Sequence, residues 1–424
     1  MSGRGTVPPP ADVECGLLAY STPGGRHSGR IRSTSGDFLV RELISLEGLV
    51  KERAPGLVPV YEVNKSGVDT LHVAREMADA IKSEVNFAGL KDKQADVVQY
   101  MSARSTRASA PPEVKGARFE AKLVGFSRPV TRAMLSGNRF RILVETEEDL
   151  GGEVEACFSA CRERRVANFF GYQRFGLRGG VNRRVGKAIV SKDFADATGL
   201  ILAQGREGEG EGTREARRLC GEGRYEESLR LFSPGQDLER AVASHLARKP
   251  GDHLGALRRV PIQLRRLLVN SYQAYLFNLA LSAAVADGID ISRPKLGDNW
   301  APVMDGGLRV GRVHGVREPP FEGDAAPLVQ IVGYAYRDYG SRFDRHLARV
   351  IEEEGISPGS FYVKEAEEVS SEGGFRQAPL LSADLSFERV ERGVVMEYSL
   401  GKGEYATALL RELLKPESPQ EAGF

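Results

Sequence analysis

Asn86 to Ser102 reads NFAGLKDKQADVVQYMS. Phe87 and Ala88 lead into Gly89, an acid stands between two bases in Lys91-Asp92-Lys93, and a β-prone run follows, Val97-Val98-Gln99-Tyr100-Met101. This pattern predicts a loop carrying one carboxylate just before a strand that can hold it rigid. Flanking ammonium groups favour the ionised form of Asp92, which is the form a carboxylate nucleophile or general base needs. Taken alone, an Asp between lysines is first of all a solvated turn acid. The surrounding chain has to shift that reading.

Upstream, residues 1 to 30 are rich in Gly, Pro and Ser, and the extreme N-terminus is expected to be loose. A strand begins at Asp37-Phe38-Leu39-Val40-Arg41-Glu42-Leu43, with Phe38 and Val40 on one face. Tyr61 to Asn64 reads as its partner. Ser66-Gly67 turns the chain, and Asp69 or Thr70 can cap a helix from Leu71 to Ile81 that delivers it to the Asp92 loop. Downstream, Pro111-Pro112 breaks the pattern before a short strand near Phe119 to Leu123. Gly137-Asn138 then opens Arg139 to Glu145, where Phe140, Ile142 and Val144 alternate with the other residues. Alternating strands joined by turns or one helix predict a mixed, largely antiparallel sheet backed by helices, an α+β core.

A helix from about Leu150 to Val166 leads to Asn168-Phe-Phe-Gly-Tyr-Gln-Arg-Phe-Gly176. Aromatics among arginines and glycines suit base stacking with phosphate contact, although some of these rings must pack in a core. Gly180 to Lys187 fails as a phosphate loop, because the spacing is wrong and Ala188 stands where a magnesium-binding hydroxyl belongs. Gln204 to Gly212 (QGREGEGEG) reads as a flexible loop within a helical region from Ser191 to Leu257. Ile262 to Ala284 reads as an amphipathic helix with Leu264, Leu267, Leu268, Tyr272, Tyr275, Leu276 and Leu279 inward. Pro294 to Val350 is irregular, with short strands near Leu308 to Val310 and Val329 to Val332, and Trp300 reads as packing. Val394 to Leu400 is a strand, Gly401-Lys402-Gly403 a turn, and Glu404 to Leu414 a helix whose free N-terminal N–H groups, near Tyr405 and Thr407, could meet an anion. If that strand returns to the first sheet, residues 190–378 are an insertion between 1–189 and 379–424.

The chain has 424 residues, which favours two domains. Its 59 Lys+Arg balance 58 Asp+Glu, so net charge is uninformative, but their distribution is uneven. Arg162, Arg164, Arg165, Arg174, Arg178, Arg183, Arg184 and Lys187 stand against one acid, Glu163. Arg248, Lys249, Arg258, Arg259, Arg265 and Arg266 stand against Asp252. Two such patches suit a polyanion partner; the alternative is two solvated helix faces. Cys15, Cys157, Cys161 and Cys220 are too sparse for a disulfide framework and, with six scattered histidines, give no metal site. That usage, with no leader or membrane-length apolar run, predicts a cytoplasmic protein.

Several segments resemble one family. GLKDKQADVVQYMS (Gly89 to Ser102), NFFGYQRFG (Asn168 to Gly176), SYQAYLFN (Ser271 to Asn278) and LGKGEYATALLRELL (Leu400 to Leu414) are similar to motifs of the TruD pseudouridine synthases, in family order. DFLVREL from Asp37 and KSGVDTLHVAREMA from Lys65 add to the likeness. The resemblance implies a cofactor-free, metal-free isomerase of the cytoplasm that converts uridine to pseudouridine in tRNA, typically at position 13 of the D-stem. It implies a pseudouridine-synthase catalytic domain interrupted by an inserted α/β TRUD domain, the two forming a cleft for RNA, and a monomer is the default. Carried over residue by residue, Asp92 matches the catalytic aspartate. Asn168 and Phe170 match the active-site Asn and Phe of NxFG, with Phe170 stacking on uracil. Phe38 matches the pocket Phe, Tyr405 the C-terminal aromatic, and Lys91 adjoins the acid. Arg32 departs from the family, which usually has a lysine there, and guanidinium and ammonium are not interchangeable. Arg174, Arg178, Arg183, Arg184, Arg258 and Arg259 are expected contacts to the RNA backbone, with Arg265 and Arg266 as further phosphate contacts of the inserted domain.

Two rivals are weaker. A non-catalytic tRNA-binding protein or RNA chaperone has no need of the intact Asp92 motif. A methyltransferase using S-adenosylmethionine needs a Gly-rich loop directly after a parallel strand, and the sequence offers none.

Overall fold

The alternation that predicts strands around Phe38 and Phe140 is realised in a computed structural model, which describes residues 6–176, 180–205, 208–233, 235–315 and 323–424. In chain order the strands are β1 (Phe38–Ile44), β2 (Val58–Ser66), β3 (Val85–Phe87), β4 (Asp96–Ala103), β5 (Glu113–Gly116), β6 (Phe119–Ser127) and β7 (Leu135–Glu145). They continue with β8 (Asn299–Met304), β9 (Arg309–Val310), β10 (Ala325–Ile331), β11 (Gly374–Gln377), β12 (Ser382–Val390) and β13 (Gly393–Gly401). A nine-stranded sheet runs β12-β13-β7-β1-β4-β2-β6-β5, with β3 added beside β4. The fold class is α+β, as the alternation implies.

One pairing in that sheet places the Asp92 loop. β1 and β4 are parallel, with Leu39 opposite Asp96, while the neighbouring pairs β1–β7 and β2–β4 are antiparallel. Parallel neighbours need a crossover, supplied here by β2 and the helix Thr70–Ile81, capped by Asp69, which accepts from the His72 N–H at 2.9 Å. Both strands therefore begin at the same end of the sheet. The loop entering β4 comes to lie beside the first residues of β1.

β13 pairs antiparallel with β7 and places Tyr398 against Phe140, ring centroids 5.6 Å apart. Phe158, from the helix Gly151–Arg162, packs edge-on against Tyr398 at 6.3 Å. A smaller core under Thr70–Ile81 joins Val73, Met77 and Ile81 to Met101 and Phe119. Between β7 and β12 the chain builds helices and a second antiparallel sheet, ordered β11-β10-β8-β9. Trp300 on β8 is buried, as read, and stacks on His314 at 4.4 Å.

One expectation needs correction. The helix expected over 262–284 runs Ile262–Ala286, and it is buried on more than one stripe, with Arg265, Ser271, Gln273, Asn278 and Ser282 all inside. Its polar residues bond loops: Asn278 Nδ2 donates to the Cys15 and Phe170 carbonyls and Ser282 Oγ to the Gly16 carbonyl. In the low-complexity run QGREGEGEG, of which residues 206–207 lie outside the described residues, Arg217 grips the Glu209 carboxylate at 2.7 Å and only 10% of that side chain is exposed. The extreme N-terminus expected to be loose, residues 1–5, lies outside the described residues; from Pro10 on the chain is tied down, the buried Asp12 carboxylate accepting from Arg411 at 2.7 Å and from Tyr172 Oη at 2.5 Å. Among the described residues no helix is long and apolar enough to cross a membrane.

Candidate active site

Two clusters hold the residues singled out in the sequence. In the first, the Asp92 carboxylate is 38% exposed and its partner is Arg32, Nη2 to Oδ2 3.4 Å. The Gln94 N–H donates to Oδ1 at 3.2 Å. The Arg32 guanidinium also lies 4.2 Å from the Phe38 centroid, a cation–π contact that covers one face of that buried ring. Its backbone is left-handed, φ 60°, a conformation costing about 1 kcal/mol for a side-chain-bearing residue. Neighbours hold it there. The Ile31 N–H donates to the Ala422 carbonyl at 2.9 Å, and Arg32 Nη1 donates to the Gly423 carbonyl at 3.1 Å. Gly423 has φ 85°, and a Cβ on it would stand 1.9 Å from the Ile31 oxygen, so only glycine fits this crossing. Burial lowers the Arg32 pKa, opposed by the charge of Asp92 and by Tyr398.

Lys91 turns away from the Asp92 carboxylate. Its ammonium meets Glu42 at 2.7 Å, with 9% and 0% of the two side chains exposed, and its N–H donates to Thr70 Oγ1 at 3.0 Å. Glu42 also accepts from the Tyr100 N–H at 2.9 Å. The cation beneath the loop is instead Lys65, which donates to the carbonyl of Asp92 at 2.9 Å. Sequence reasoning gave Lys65 no role. The signal was available: Tyr61 and Val63 are buried, so strand alternation sends Lys65 inward as well.

The second cluster surrounds Asn168 and Phe170. A buried arginine on β11, Arg376, donates to the Asn168 carbonyl (3.0 Å), to Asn168 Oδ1 (2.5 Å) and to the Gly403 carbonyl (2.8 Å). Its guanidinium covers one face of Phe170, 4.2 Å from the centroid. Burial pushes its pKa down to about 10. Tyr405 approaches Phe170 edge-on at 6.2 Å and Phe277 does so at 5.2 Å. The helix expected from Glu404 starts at Ala406. Glu404 is turned inward instead, accepting from the Leu381 and Gly401 N–H groups and from Gln377 Nε2 at 2.8–2.9 Å. Burial raises its pKa to about 7. Neither Arg376 nor Glu404 was found by motif, because each acts through residues distant in sequence.

The clusters are joined through the sheet and through residues 423–424. Phe38 meets Phe140 edge-on at 6.2 Å, and Phe140 meets Tyr398. Gly423 holds Arg32, while Phe424 packs edge-on against Tyr172 of the Asn168–Gly176 loop at 5.9 Å.

Most arginines expected to contact RNA are engaged within the protein. Arg183 pairs with Glu14 at 2.6 Å and Arg184 donates to Gln204 Oε1 at 3.1 Å. Arg258 donates to the Glu365 carbonyl at 2.8 Å and Arg259 to His245 Nδ1 at 3.2 Å. Arg265 is buried against Glu368. Arg174 stands 5.4 Å from the Phe170 centroid, its buried Nε without a hydrogen bond. Arg178 lies outside the described residues. Among the described residues no three His, Cys, Asp or Glu side chains group as a metal site.

The two clusters thus set an exposed carboxylate under the guanidinium of Arg32, which also covers Phe38, and, separately, Phe170 under the guanidinium of Arg376. The family model for tRNA pseudouridine synthase D (TruD) matches residues 14–413. A protein of Pyrobaculum neutrophilum described as "Probable tRNA pseudouridine synthase D" is 30% identical over 98% of this chain and 99% of its own. One of Methanosarcina mazei with the same description is 31% identical over 96% and 98%. A crystal structure of a TruD protein from Methanosarcina mazei superposes with a TM-score of 0.76 at 28% identity, covering 96% of this chain and 98% of that one. The chain belongs to the tRNA pseudouridine synthase D family.

Proposed function

We propose that this isomerase of the pseudouridine synthase family converts uridine to pseudouridine in tRNA at position 13 of the D-stem, with Asp92 as the reacting carboxylate. The observation that carries the reading is the Arg32–Asp92 contact beside Phe38. A charged, half-open carboxylate can attack the sugar or remove a proton from it. In the reaction the C1′–N1 bond breaks, the uracil turns, and a C1′–C5 bond forms. C5 gives up its proton and N1 takes one, so product and substrate have the same composition. Flat aromatic surfaces can retain a detached uracil without fixing its orientation; Phe38, Phe170 and Tyr405 would supply them, with Arg32 and Arg376 already on one face of the first two. Asn168 would keep Phe170 placed through Arg376. The target base has to leave its stack, at a cost of a few kcal/mol that contacts elsewhere must offset.

Residues 190–378 are read as the inserted domain that grips the tRNA body. The exposed Arg184 and Arg258 are better candidates for phosphate contact than Arg265, which is buried. Charge reversal at either should weaken tRNA binding and flatten its salt dependence by roughly one phosphate's worth. An unchanged salt slope for both would remove them from the interface.

The direct test incubates wild type and Asp92→Ala with unmodified tRNA and no added cofactor, then maps pseudouridine by carbodiimide treatment and primer extension. Product at one D-stem position with wild type alone is expected. Tight binding without product from either protein would favour a binding module, and product from both would mean that another acid reacts.

A further inference from the structure

Lys65 is a buried lysine that forms no ion pair with a carboxylate among the described residues. It lies near the end of β2, between β4 and β6, opposite Val97 on one side and Phe119 on the other, and only 3% of it is exposed. Its ammonium donates to two main-chain carbonyls, Val68 at 2.8 Å and Asp92 at 2.9 Å. Placing a charge in such a site is costly, and an apolar side chain of similar length would fill the same volume without that cost. What the ammonium adds is specific to the second bond. No other hydrogen bond reaches the main chain of Asp92 among the described residues. The carboxylate itself, among the described residues, meets Arg32 at 3.4 Å and the Gln94 N–H at 3.2 Å. Lys65 thus ties the Asp92 backbone to Val68, in the turn that leads into the helix Thr70–Ile81, while the Lys91 N–H and Thr70 Oγ1 tie the residue before it.

We propose that Lys65 is a positioning residue for Asp92: from beneath the loop its ammonium fixes the carbonyl of the reacting residue and adds positive charge to the site. This rests on Asp92 being the reacting group. Arg32 acts on the carboxylate from the exposed side and Lys65 on the main chain from the buried side. A displacement of about 1 Å in a reacting group can cost roughly 100-fold in rate, so a loosened loop should reduce turnover while leaving tRNA binding nearly intact.

The same placement gives a readout that a purely structural lysine would lack. Burial lowers the Lys65 pKa to about 8, opposed by Asp92 and Asp69 and assisted by Lys91. Asp96, opposite Ser66, Glu120, opposite Asn64, Arg118, which donates to the Gly67 carbonyl at 2.9 Å, and Arg32, on the Asp92 carboxylate, are further charged groups on the surrounding segments. Because the folded value lies below the ordinary lysine value, the charge is present below about pH 8 and lost above it.

The experiment compares wild type, Lys65→Met and Lys65→Arg on full-length tRNA from about pH 6 to about pH 10, following tritium released from C5 of the uridine under single turnover. The expected result is a rate falling above about pH 8 in wild type. Lys65→Met should be slower by roughly 100-fold, with KM within about threefold and no inflection there. Lys65→Arg should retain part of the rate and keep it at higher pH, since a guanidinium does not titrate in that range. If folded Lys65→Met matches wild type in rate, or shares its alkaline limb, the proposal is overturned. If Lys65→Met does not fold, the pH profile of Lys65→Arg decides, and a limb identical to wild type overturns it equally. Activity surviving in Asp92→Ala would instead sink the underlying reading of the site, an outcome distinct from either.

Discussion

The Arg32 guanidinium lies 3.4 Å from the Asp92 carboxylate while its flat face rests 4.2 Å above Phe38. One side chain thus sets both the charge and the aromatic wall of the candidate site. An ammonium at that position could meet the carboxylate but could not lie flat over the ring while also reaching the Gly423 carbonyl. Arg32→Ala is expected to lower kcat by roughly 100-fold, since removing one charge-stabilising group commonly costs that much. Arg32→Lys should recover only part of it. Steady-state kinetics on tRNA check this; full activity in Arg32→Lys would show that the guanidinium geometry is irrelevant.

Arg376 joins three segments that are far apart in sequence: Asn168, Phe170 and the turn at Gly403. Arg376→Met would leave the Asn168 and Gly403 acceptors buried without donors, and the expected loss of stability is about 3–5 kcal/mol. Arg376→Lys should lie between, because one ammonium cannot reproduce the forked contacts and the stack. Urea unfolding measures the stability, and KM on tRNA reports whether Phe170 has moved. A folded Arg376→Met with unchanged midpoint and KM would refute the assignment.

These examples mark what the sequence could reveal. Alternation placed Phe38, Phe140 and Ile142 inward because a half-buried strand repeats every two residues. The Asp92 loop could be located because Gly89 and the β-prone run bound it. The final strand's return to the sheet rested on a shift in composition alone, which periodicity could not establish, and β13 does pair with β7. Long-range pairing of polar groups was not legible. The basic runs looked like open RNA-binding surface because composition counts neighbours in sequence, whereas Arg183 is neutralised by Glu14, and Arg265 by Glu368. Lys91 likewise looked like a partner for Asp92 but is paired with Glu42, forty-odd residues away. Local order fixes which face a side chain takes; only the folded chain decides which charge it meets.

Glu404 makes stability depend on pH. Burial raises its folded pKa to about 7, above the ordinary carboxylate value. The folded state therefore keeps a proton through a window in which the unfolded chain has released it. Stability from this group is complete below the ordinary value and declines as pH rises to about 7. Glu404→Gln keeps an acceptor for the Leu381 or Gly401 N–H and cannot ionise. Denaturant midpoints at about pH 5 and about pH 8 should differ less in Glu404→Gln than in wild type, by on the order of a few kcal/mol in unfolding free energy. Equal pH dependence in the two proteins would mean that Glu404 is ionised throughout.

The Lys91–Glu42 pair separates scaffold from chemistry in the Asp92 loop. Both side chains are almost completely buried and 2.7 Å apart, so removing one partner strands the other. Glu42→Leu or Lys91→Met alone is expected to cost about 3–5 kcal/mol of stability. The double substitution replaces the pair with apolar side chains and should restore part of that loss, since buried ion pairs often exchange for hydrophobic ones at little net cost while the Tyr100 N–H stays without its Glu42 acceptor. Activity should follow stability. The Lys91 ammonium is directed at Glu42, so the refolded double variant is expected to turn over tRNA within about tenfold of wild type, a spread of ~1.4 kcal/mol in the barrier. If instead the double variant is as stable as wild type but inactive, the Lys91 ammonium must leave Glu42 when tRNA binds and act on the substrate.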